Sequence, residues 1–107
     1  MSKNNRYIDW KNWEADSFAK TSKLEEAYFN NIFKLLKLKK SSKILEIGFG
    51  NGSFLGYAVS QKFNYDGVES NQNLVDLAID NNFSAYTSLD KIDTETKYDL
   101  IILFDVI

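Results

Sequence analysis

The sequence contains no cysteine and no histidine, and its 13 basic and 15 acidic residues leave a formal net charge of only −2. Without cysteine the chain has neither disulfides nor thiolate chemistry. Without histidine it lacks the commonest metal ligand and the commonest general base. The small net charge gives no general attraction towards nucleic acid or an anionic membrane. We therefore expect no metal site, no nucleic-acid partner and no membrane partner.

Long apolar segments are also absent. The longest unbroken apolar run covers residues 100–104, whereas a helix needs about 20 apolar residues to cross a bilayer. The first residues of the chain are mostly polar and charged and do not have the pattern of a signal peptide. A chain of 107 residues allows one domain. These features predict a soluble, cytoplasmic protein.

Glycine is scarce, with five residues in the chain, yet three of them stand at alternate positions. Gly48, Gly50 and Gly52 follow a short apolar run, residues 44–47, that is typical of a buried parallel strand. A helix is expected to begin directly after them. Strand, tight turn and helix N-terminus are the layout of a nucleotide-cofactor site. Glycine suits the turn because it adopts positive φ and lets a ligand lie against the backbone.

The residues around the glycines indicate which cofactor is bound. A dinucleotide fingerprint, G-x-G-x-x-G, would need glycine at position 53, where the chain has Ser53. Glu46 adds a carboxylate two residues before Gly48, and such a group attracts a cation but repels a pyrophosphate. The pattern E-x-G-x-G-x-G resembles motif I of the class I S-adenosylmethionine-dependent methyltransferases. Their cofactor lacks phosphate and carries an ammonium and a sulfonium.

A second acid, Glu69, ends the segment 65–69, which we predict to be the second strand. Its distance from the glycines is near that expected for an acid that binds ribose hydroxyls. Taken alone, Glu69 would be interpreted as a solvated strand end. Because the glycine pattern precedes it, we favour the ribose-binding role.

Helical and strand patterns alternate along the chain. Ser22 and Glu25 have the spacing of a capping box, and the helix that follows would bury one apolar face. The residues of that predicted face are Leu24, Tyr28, Ile32, Leu35 and Leu36. A helix after Asn71, a third strand at 83–87 and a fourth at 98–107, buried on both faces, continue the pattern. The alternation predicts an α/β fold with a doubly wound, mostly parallel, Rossmann-like sheet.

The resemblance covers residues 22–107 and implies which residues bind S-adenosylmethionine. They lie in the glycine turn and after the second, third and fourth strands: Glu46, Gly48, Phe49, Gly50, Asn51, Gly52, Glu69, Ser70, Ser88, Leu89, Phe104 and Asp105. In the family, the loop after the third strand meets the adenine, and here Ser88 stands where an acid or amide is common. Asp105 would lie beside the reacting methyl group, or else simply end the strand. The sequence shows no convincing general base, so the catalytic residues stay unassigned.

Residues 1–21 form a predicted N-terminal arm that mixes charges with aromatic residues, among them Trp10 and Trp13. The arm either packs its rings onto the domain or covers the cofactor, as this region often does in the resembling methyltransferases. A complete domain of that family has further strands after the fourth. We therefore expect this chain to be the N-terminal, cofactor-binding part of a larger enzyme and to be inactive alone. Its fourth strand would form an exposed edge through which the chain self-associates.

The function implied by the resemblance is methyl transfer from S-adenosylmethionine to an unidentified acceptor, with a small molecule or a sugar favoured. Two other classes stay open. One is half of an NAD-dependent oxidoreductase, against which Glu46 and Gly52 argue. The other is a non-catalytic binding or assembly module.

Overall fold

A computed structural model describes residues 17–104 of the chain. Within that range three complete helices alternate with four strands. The helices are α1 (Lys23–Leu36), α2 (Ser53–Ser60) and α3 (Gln72–Asp80), and the strands are β1 (Lys43–Ile47), β2 (Asn64–Val68), β3 (Ala85–Tyr86) and β4 (Leu100–Ile102). A short 3-10 helix, Leu89–Lys91, lies between β3 and β4. The predicted α/β class is confirmed.

The four strands form one parallel sheet in the order β3-β2-β1-β4. From β1 the chain moves outward to β2 and β3, then crosses to the other side of β1 to form β4. The strand order therefore reverses between β1 and β4. In open α/β sheets, ligands bind outside the carboxyl ends of the strands at such a reversal. The sheet is Rossmann-like, as the sequence predicts.

The helices cover one face of the sheet. The strand register puts Ile44 of β1 beside Tyr65 of β2 and Leu100 of β4, so these side chains point to the same face. Buried residues from all three helices join the hydrophobic cluster on that face. They are Phe29 and Phe33 of α1, Phe54, Leu55, Tyr57 and Ala58 of α2, and Val75, Leu77 and Ala78 of α3. The core thus lies between this face and the helices.

The opposite face carries a polar network that attaches the segment before β4. Asp66 is buried there and accepts hydrogen bonds from Ser84 Oγ at its Oδ1 (2.6 Å) and from Tyr98 OH at its Oδ2 (2.7 Å). Lys43 Nζ lies 3.3 Å from the same Oδ2. Burial disfavours the carboxylate, but these hydrogen bonds and the lysine outweigh it, so the pKa of Asp66 is lowered. The network holds Tyr98 against β1 and β2.

Helix α1 begins as predicted but buries a different face. The capping box is present, because the Glu25 N–H donates to Ser22 Oγ and the Ser22 N–H donates to Glu25 Oε1. The predicted apolar face is wrong: Phe29 and Phe33 are buried, whereas Leu24 is 83% exposed. Tyr28, Leu35 and Leu36 were also predicted to be buried but are exposed. Of the predicted face only Ile32, which is partly buried, packs against the core. The helix carries two apolar stripes, and the one with Phe29 and Phe33 packs inward against the aromatic rings of α2.

The third and fourth strands are shorter than predicted, and β4 is buried on one face only. Ile102 is buried, but Ile101 is 54% exposed. The prediction of burial on both faces is therefore wrong. An unbroken apolar run indicates that a strand is apolar on both sides, but its neighbours decide which sides are covered. Residues 105–107, at the end of the predicted strand, lie outside the described part of the chain.

Candidate functional site

The glycine turn joins the carboxyl end of β1 to the N-terminus of α2. Gly48, Gly50 and Gly52 have φ values of +78°, +56° and +80°, a region that favours glycine. Their surroundings differ. A Cβ on Gly52 would lie 3.1 Å from the Phe18 ring, whereas a Cβ on Gly50 would have nothing within 4 Å. A side chain at position 52 would therefore crowd Phe18, whereas Gly50 faces open space from which a ligand can approach the backbone.

Glu69 follows β2 and reaches back to the glycine turn. Its Oε1 accepts a hydrogen bond from the Gly50 N–H at 3.1 Å, and its Oε2 accepts one from the Asn71 N–H at 2.8 Å. Ser70 Oγ donates to the same Oε2 at 3.5 Å. The Glu69 N–H donates to the Tyr86 carbonyl at 3.0 Å, so the ends of β2 and β3 meet here. The structure thus brings Glu69, Ser70 and Gly50 together.

Glu46 of β1 is only 2% exposed and lies on the helix-covered face. The Tyr65 hydroxyl donates to its Oε1 at 2.6 Å. Burial, and then the charge of Glu46, raise the pKa of Tyr65, so this hydroxyl stays protonated and remains a donor. Gly67, the register partner of Glu46, leaves room for the pair, because a Cβ there would lie 2.8 Å from the Tyr65 hydroxyl.

A cleft of about 270 Å³ opens beside Glu46, between α1, the start of α2 and the residues after β4. The residues that line it with Glu46 are Glu25, Tyr28, Phe29, Ser53, Phe54 and Phe104. The Phe104 ring lies 5.1 Å from that of Phe54 and 5.2 Å from that of Phe29, measured between centroids. Aromatic walls with carboxylates suit a cation, which is attracted by both the ring faces and the negative charges.

Other predicted site residues have structural partners. The Phe49 side chain is buried, its ring edge-on to Phe18 with centroids 6.2 Å apart, so only its backbone remains for a ligand. Asn51 Oδ1 accepts from the Ser53 N–H at 3.3 Å, which stabilises the turn. Ser88 donates its hydroxyl to the Asp90 carboxylate. Leu89 is exposed, and Asp105 lies outside the described residues.

The end of the N-terminal arm packs on the glycine turn. Phe18 is buried, and the Ala19 N–H donates to the Asn51 carbonyl at 2.8 Å. A Cβ on Gly56 of α2 would lie 2.2 Å from the Ala19 carbonyl oxygen. Gly56 therefore allows the arm to approach α2 closely. Trp10 and Trp13 lie outside the described residues, so the role of the arm's first part stays a prediction.

Several residues at the site escaped the sequence interpretation. Glu25 and Tyr28 reach the cleft only because α1 crosses this edge of the sheet, and no local pattern predicts that crossing. Tyr65 carried a usable signal, since a tyrosine in a buried strand normally needs a hydrogen-bond partner for its hydroxyl. Glu46, on the neighbouring strand, is the acceptor for that hydroxyl.

The strand order, the glycine turn at the reversal and the helices on the sheet define a Rossmann-like α/β domain. A family model described as a methyltransferase domain matches residues 21–107. The chain therefore belongs to the methyltransferase-domain family, which confirms the resemblance to class I S-adenosylmethionine-dependent methyltransferases. No curated protein and no solved structure matched the chain in the corresponding comparisons.

Two further observations concern residues 17–104. No helix in this range is long and apolar enough to cross a membrane. The same residues contain no group of three or more carboxylate side chains placed to hold a metal ion.

Proposed function

We propose that this chain binds S-adenosylmethionine at the glycine turn and serves methyl transfer, in the cytoplasm, to a small molecule or a sugar. The observation that carries the proposal is the placement of Glu46. It is a buried carboxylate at the carboxyl end of β1, directly before the glycine turn, and it lines an aromatic cleft. Such a carboxylate offsets the charge of the cofactor's ammonium and sulfonium.

In this proposal the two acids contact different parts of the cofactor. The amino-acid end would occupy the cleft beside Glu46, and the ribose would lie against Glu69. A carboxylate has about four acceptor positions. The N–H groups of Gly50 and Asn71 occupy two of those of Glu69, which leaves capacity for a ribose diol. The open space at Gly50 lies beside Glu69 and would admit the ribose.

The adenine would lie near the loop after β3. The hydrogen bond between the Glu69 N–H and the Tyr86 carbonyl places this loop beside the proposed ribose acid. Ser88 and Leu89 are the candidates for contact there, and Ser70 lies between the two regions. At the other end, Phe104 lines the cleft and Asp105 follows it, so both are proposed to lie near the methyl group.

When bound, the cofactor supplies an electrophilic methyl group on its sulfonium. The chain contributes orientation, which lowers the entropic part of the barrier, and aromatic walls that would shield the bound methyl group from water. Phe29, Phe54 and Phe104 form that apolar wall, and Glu46 balances the positive charge. A general base and the acceptor's binding residues are not assigned, so the acceptor class rests on the resemblance alone.

Calorimetric titration of the 107-residue chain with S-adenosylhomocysteine and with NADH tests the proposal. We expect S-adenosylhomocysteine to bind and NADH not to bind. Glu46→Gln should lower affinity for S-adenosylhomocysteine by about tenfold or more, since a charge-assisted contact with the ammonium is lost. Glu95→Gln removes an equal charge from an exposed loop residue and should change nothing.

NADH binding without S-adenosylhomocysteine binding would favour the oxidoreductase alternative. Binding of neither ligand would contradict the proposal and favour an assembly module. Equal losses in Glu46→Gln and Glu95→Gln would show that net charge, rather than the placement of Glu46, governs affinity.

A further inference from the structure

Tyr65 and Glu46 form a buried pair beneath the cleft. Tyr65 of β2 is buried, and its hydroxyl donates to Glu46 Oε1 at 2.6 Å. An O–H···O distance this short is typical of a charge-assisted bond, which is roughly twice as strong as a neutral one. The bond joins adjacent strands, so it fixes the Glu46 carboxylate relative to the sheet rather than relative to its own strand alone.

The surroundings of the pair favour this one arrangement. Gly67 faces the tyrosine, and any side chain at that position would crowd both the Tyr65 hydroxyl and the Phe49 ring, at 2.8 Å and 2.7 Å from a Cβ. Tyr65 also belongs to the aromatic cluster, with its ring centroid 6.2 Å from that of Phe54. Phe54 lines the same cleft as Glu46. The tyrosine is therefore held from several sides while its hydroxyl contacts the acid.

Tyr65 touches Glu46 but does not line the cleft, whose walls are formed by other residues. We propose that Tyr65 is a positioning residue: its hydroxyl orients the Glu46 carboxylate towards the ammonium at the amino-acid end of the cofactor. This inference rests on the proposed function and adds a residue to it that the family resemblance does not supply. Among residues 17–104, the other charged side chain that lines the cleft is Glu25, which is already engaged in the capping box of α1.

The test compares two ligands that differ only at the end that Glu46 would contact. S-adenosylhomocysteine carries the amino-acid end, and 5′-methylthioadenosine has the same nucleoside without it. In Tyr65→Phe, we expect affinity for S-adenosylhomocysteine to fall about tenfold, because the Glu46 carboxylate is no longer held in place and its charge-assisted contact with the ammonium weakens. Affinity for 5′-methylthioadenosine should stay within about twofold of the original protein.

Tyr57→Phe is the matched control. Tyr57 belongs to the same aromatic cluster, and its hydroxyl donates to Asn30 Oδ1 at the same distance, 2.6 Å, away from Glu46. This variant should leave the affinity for both ligands unchanged. In a Glu46→Gln background, Tyr65→Phe should have a smaller effect than it has alone, since the two residues act through one contact.

Each outcome has one meaning. If the original protein binds neither ligand, the proposed function fails and this inference fails with it. If it binds both, but Tyr65→Phe leaves S-adenosylhomocysteine affinity unchanged, or weakens both ligands equally, Tyr65 does not position Glu46 and the proposed function survives. A thermal melt reports whether Tyr65→Phe folds. Should it not fold, Glu46→Asp, which keeps the charge but draws the carboxylate back from the Tyr65 hydroxyl, must show the same selective loss, and an equal loss for both ligands overturns the inference.

Discussion

Glu46 and Glu69 end neighbouring strands of one sheet, yet their surroundings are opposite. Glu46 is buried and held by a side chain, the Tyr65 hydroxyl at 2.6 Å. Glu69 is partly exposed and held by backbone N–H groups of Gly50 and Asn71. The first acid is fixed by the packing of the core before any ligand arrives. The second is part of the loop structure itself, so it links ligand binding to the conformation of the glycine turn.

The contrast predicts how the loss of each acid affects ligand binding and stability. Loss of Glu46 removes charge from a cleft that the core still shapes. Loss of Glu69 removes a ligand contact and also releases two backbone donors, so binding and local order decline together. The glycine turn belongs to the Glu69 side of this comparison, because Gly50 donates directly to that carboxylate.

The largest effect is expected from Gly50→Val, which should abolish binding of S-adenosylhomocysteine. A branched side chain would occupy the open space at this position, and the φ of +56° is unfavourable for valine. Calorimetric titration measures the loss. Normal binding by a folded Gly50→Val protein would mean that the glycine turn is only a tight turn.

A matched pair of alanine variants separates the two glycine roles. Both Gly50→Ala and Gly52→Ala carry the strain of a positive φ, about 1 kcal/mol. Only the Cβ at position 52 also meets the Phe18 ring, at 3.1 Å. Gly52→Ala should therefore have the lower melting temperature, while Gly50→Ala should show the larger loss of ligand affinity relative to its stability. The reverse result in both measurements would indicate that the ligand approaches the backbone at Gly52 rather than at Gly50.

The next effect in size is that of Glu69→Ala. Removing a charge-assisted contact with the ribose should cost about 1.5–3 kcal/mol of binding free energy. The released Gly50 and Asn71 N–H groups are near solvent, so the free energy of unfolding should fall by less, about 1 kcal/mol. Glu69→Gln keeps only one of the two acceptor oxygens, so it should restore part of the stability and little of the affinity. Unchanged affinity in the alanine variant would remove the ribose role.

Asp66 provides a third carboxylate with which to sharpen the comparison, since it is buried but lies on the face opposite the cleft. The pKa of Asp66 is lowered in the folded protein. The Asp66 carboxylate therefore contributes its full stabilisation at pH values above the pKa of an unfolded aspartate, about 3.9. This stabilisation is lost as the pH falls through the pKa of Asp66 in the folded protein. At pH 7, Asp66→Asn should lower the free energy of unfolding by about 1.5–3 kcal/mol. Ligand affinity should stay the same.

Urea denaturation at a series of pH values checks this expectation. The original protein should lose stability in acid more steeply than Asp66→Asn, so the two curves should converge below the lowered pKa of Asp66. Parallel curves would show that the hydrogen bonds from Ser84 and Tyr98 do not depend on the charge of Asp66.

The features that the sequence predicted correctly depend on residues close together along the chain. The glycine turn follows its strand directly, and the Ser22–Glu25 capping box spans one helical turn. The features that it missed depend on packing between distant segments. Which stripe of α1 turns inward is decided by Phe54 and Tyr57 of α2, whose rings contact Phe29 at 5.1 Å and 5.2 Å between centroids.

The same distinction holds within the site. The positions of Glu46 and Glu69 follow from strand ends and turn spacing, which are local. The partners of Glu46 do not, because Tyr65 becomes its donor only through the parallel register of β1 with β2. Burial of β4 on one face likewise depends on where the helices lie, which the apolar run of residues 100–104 does not indicate.

The smallest effect on ligand binding is expected from substitutions at the edge of the sheet, where we expect no change in affinity. In the described sheet β4 pairs only with β1, and Ile101 and Leu103 expose 54% and 56% of their surface beside it. An apolar strand at a sheet edge readily pairs with another chain. We propose that this edge mediates self-association, so the chain should sediment as more than a monomer at micromolar concentration.

Ile101→Lys should shift the protein to the monomer and leave affinity for S-adenosylhomocysteine unchanged, because the side chain at position 101 points away from the cleft-bearing face. Ile79→Lys is the control, since Ile79 of α3 is equally exposed, at 52%, but lies away from this edge. A strictly monomeric original protein, or dissociation by Ile79→Lys as well, would show that β4 is not the contact.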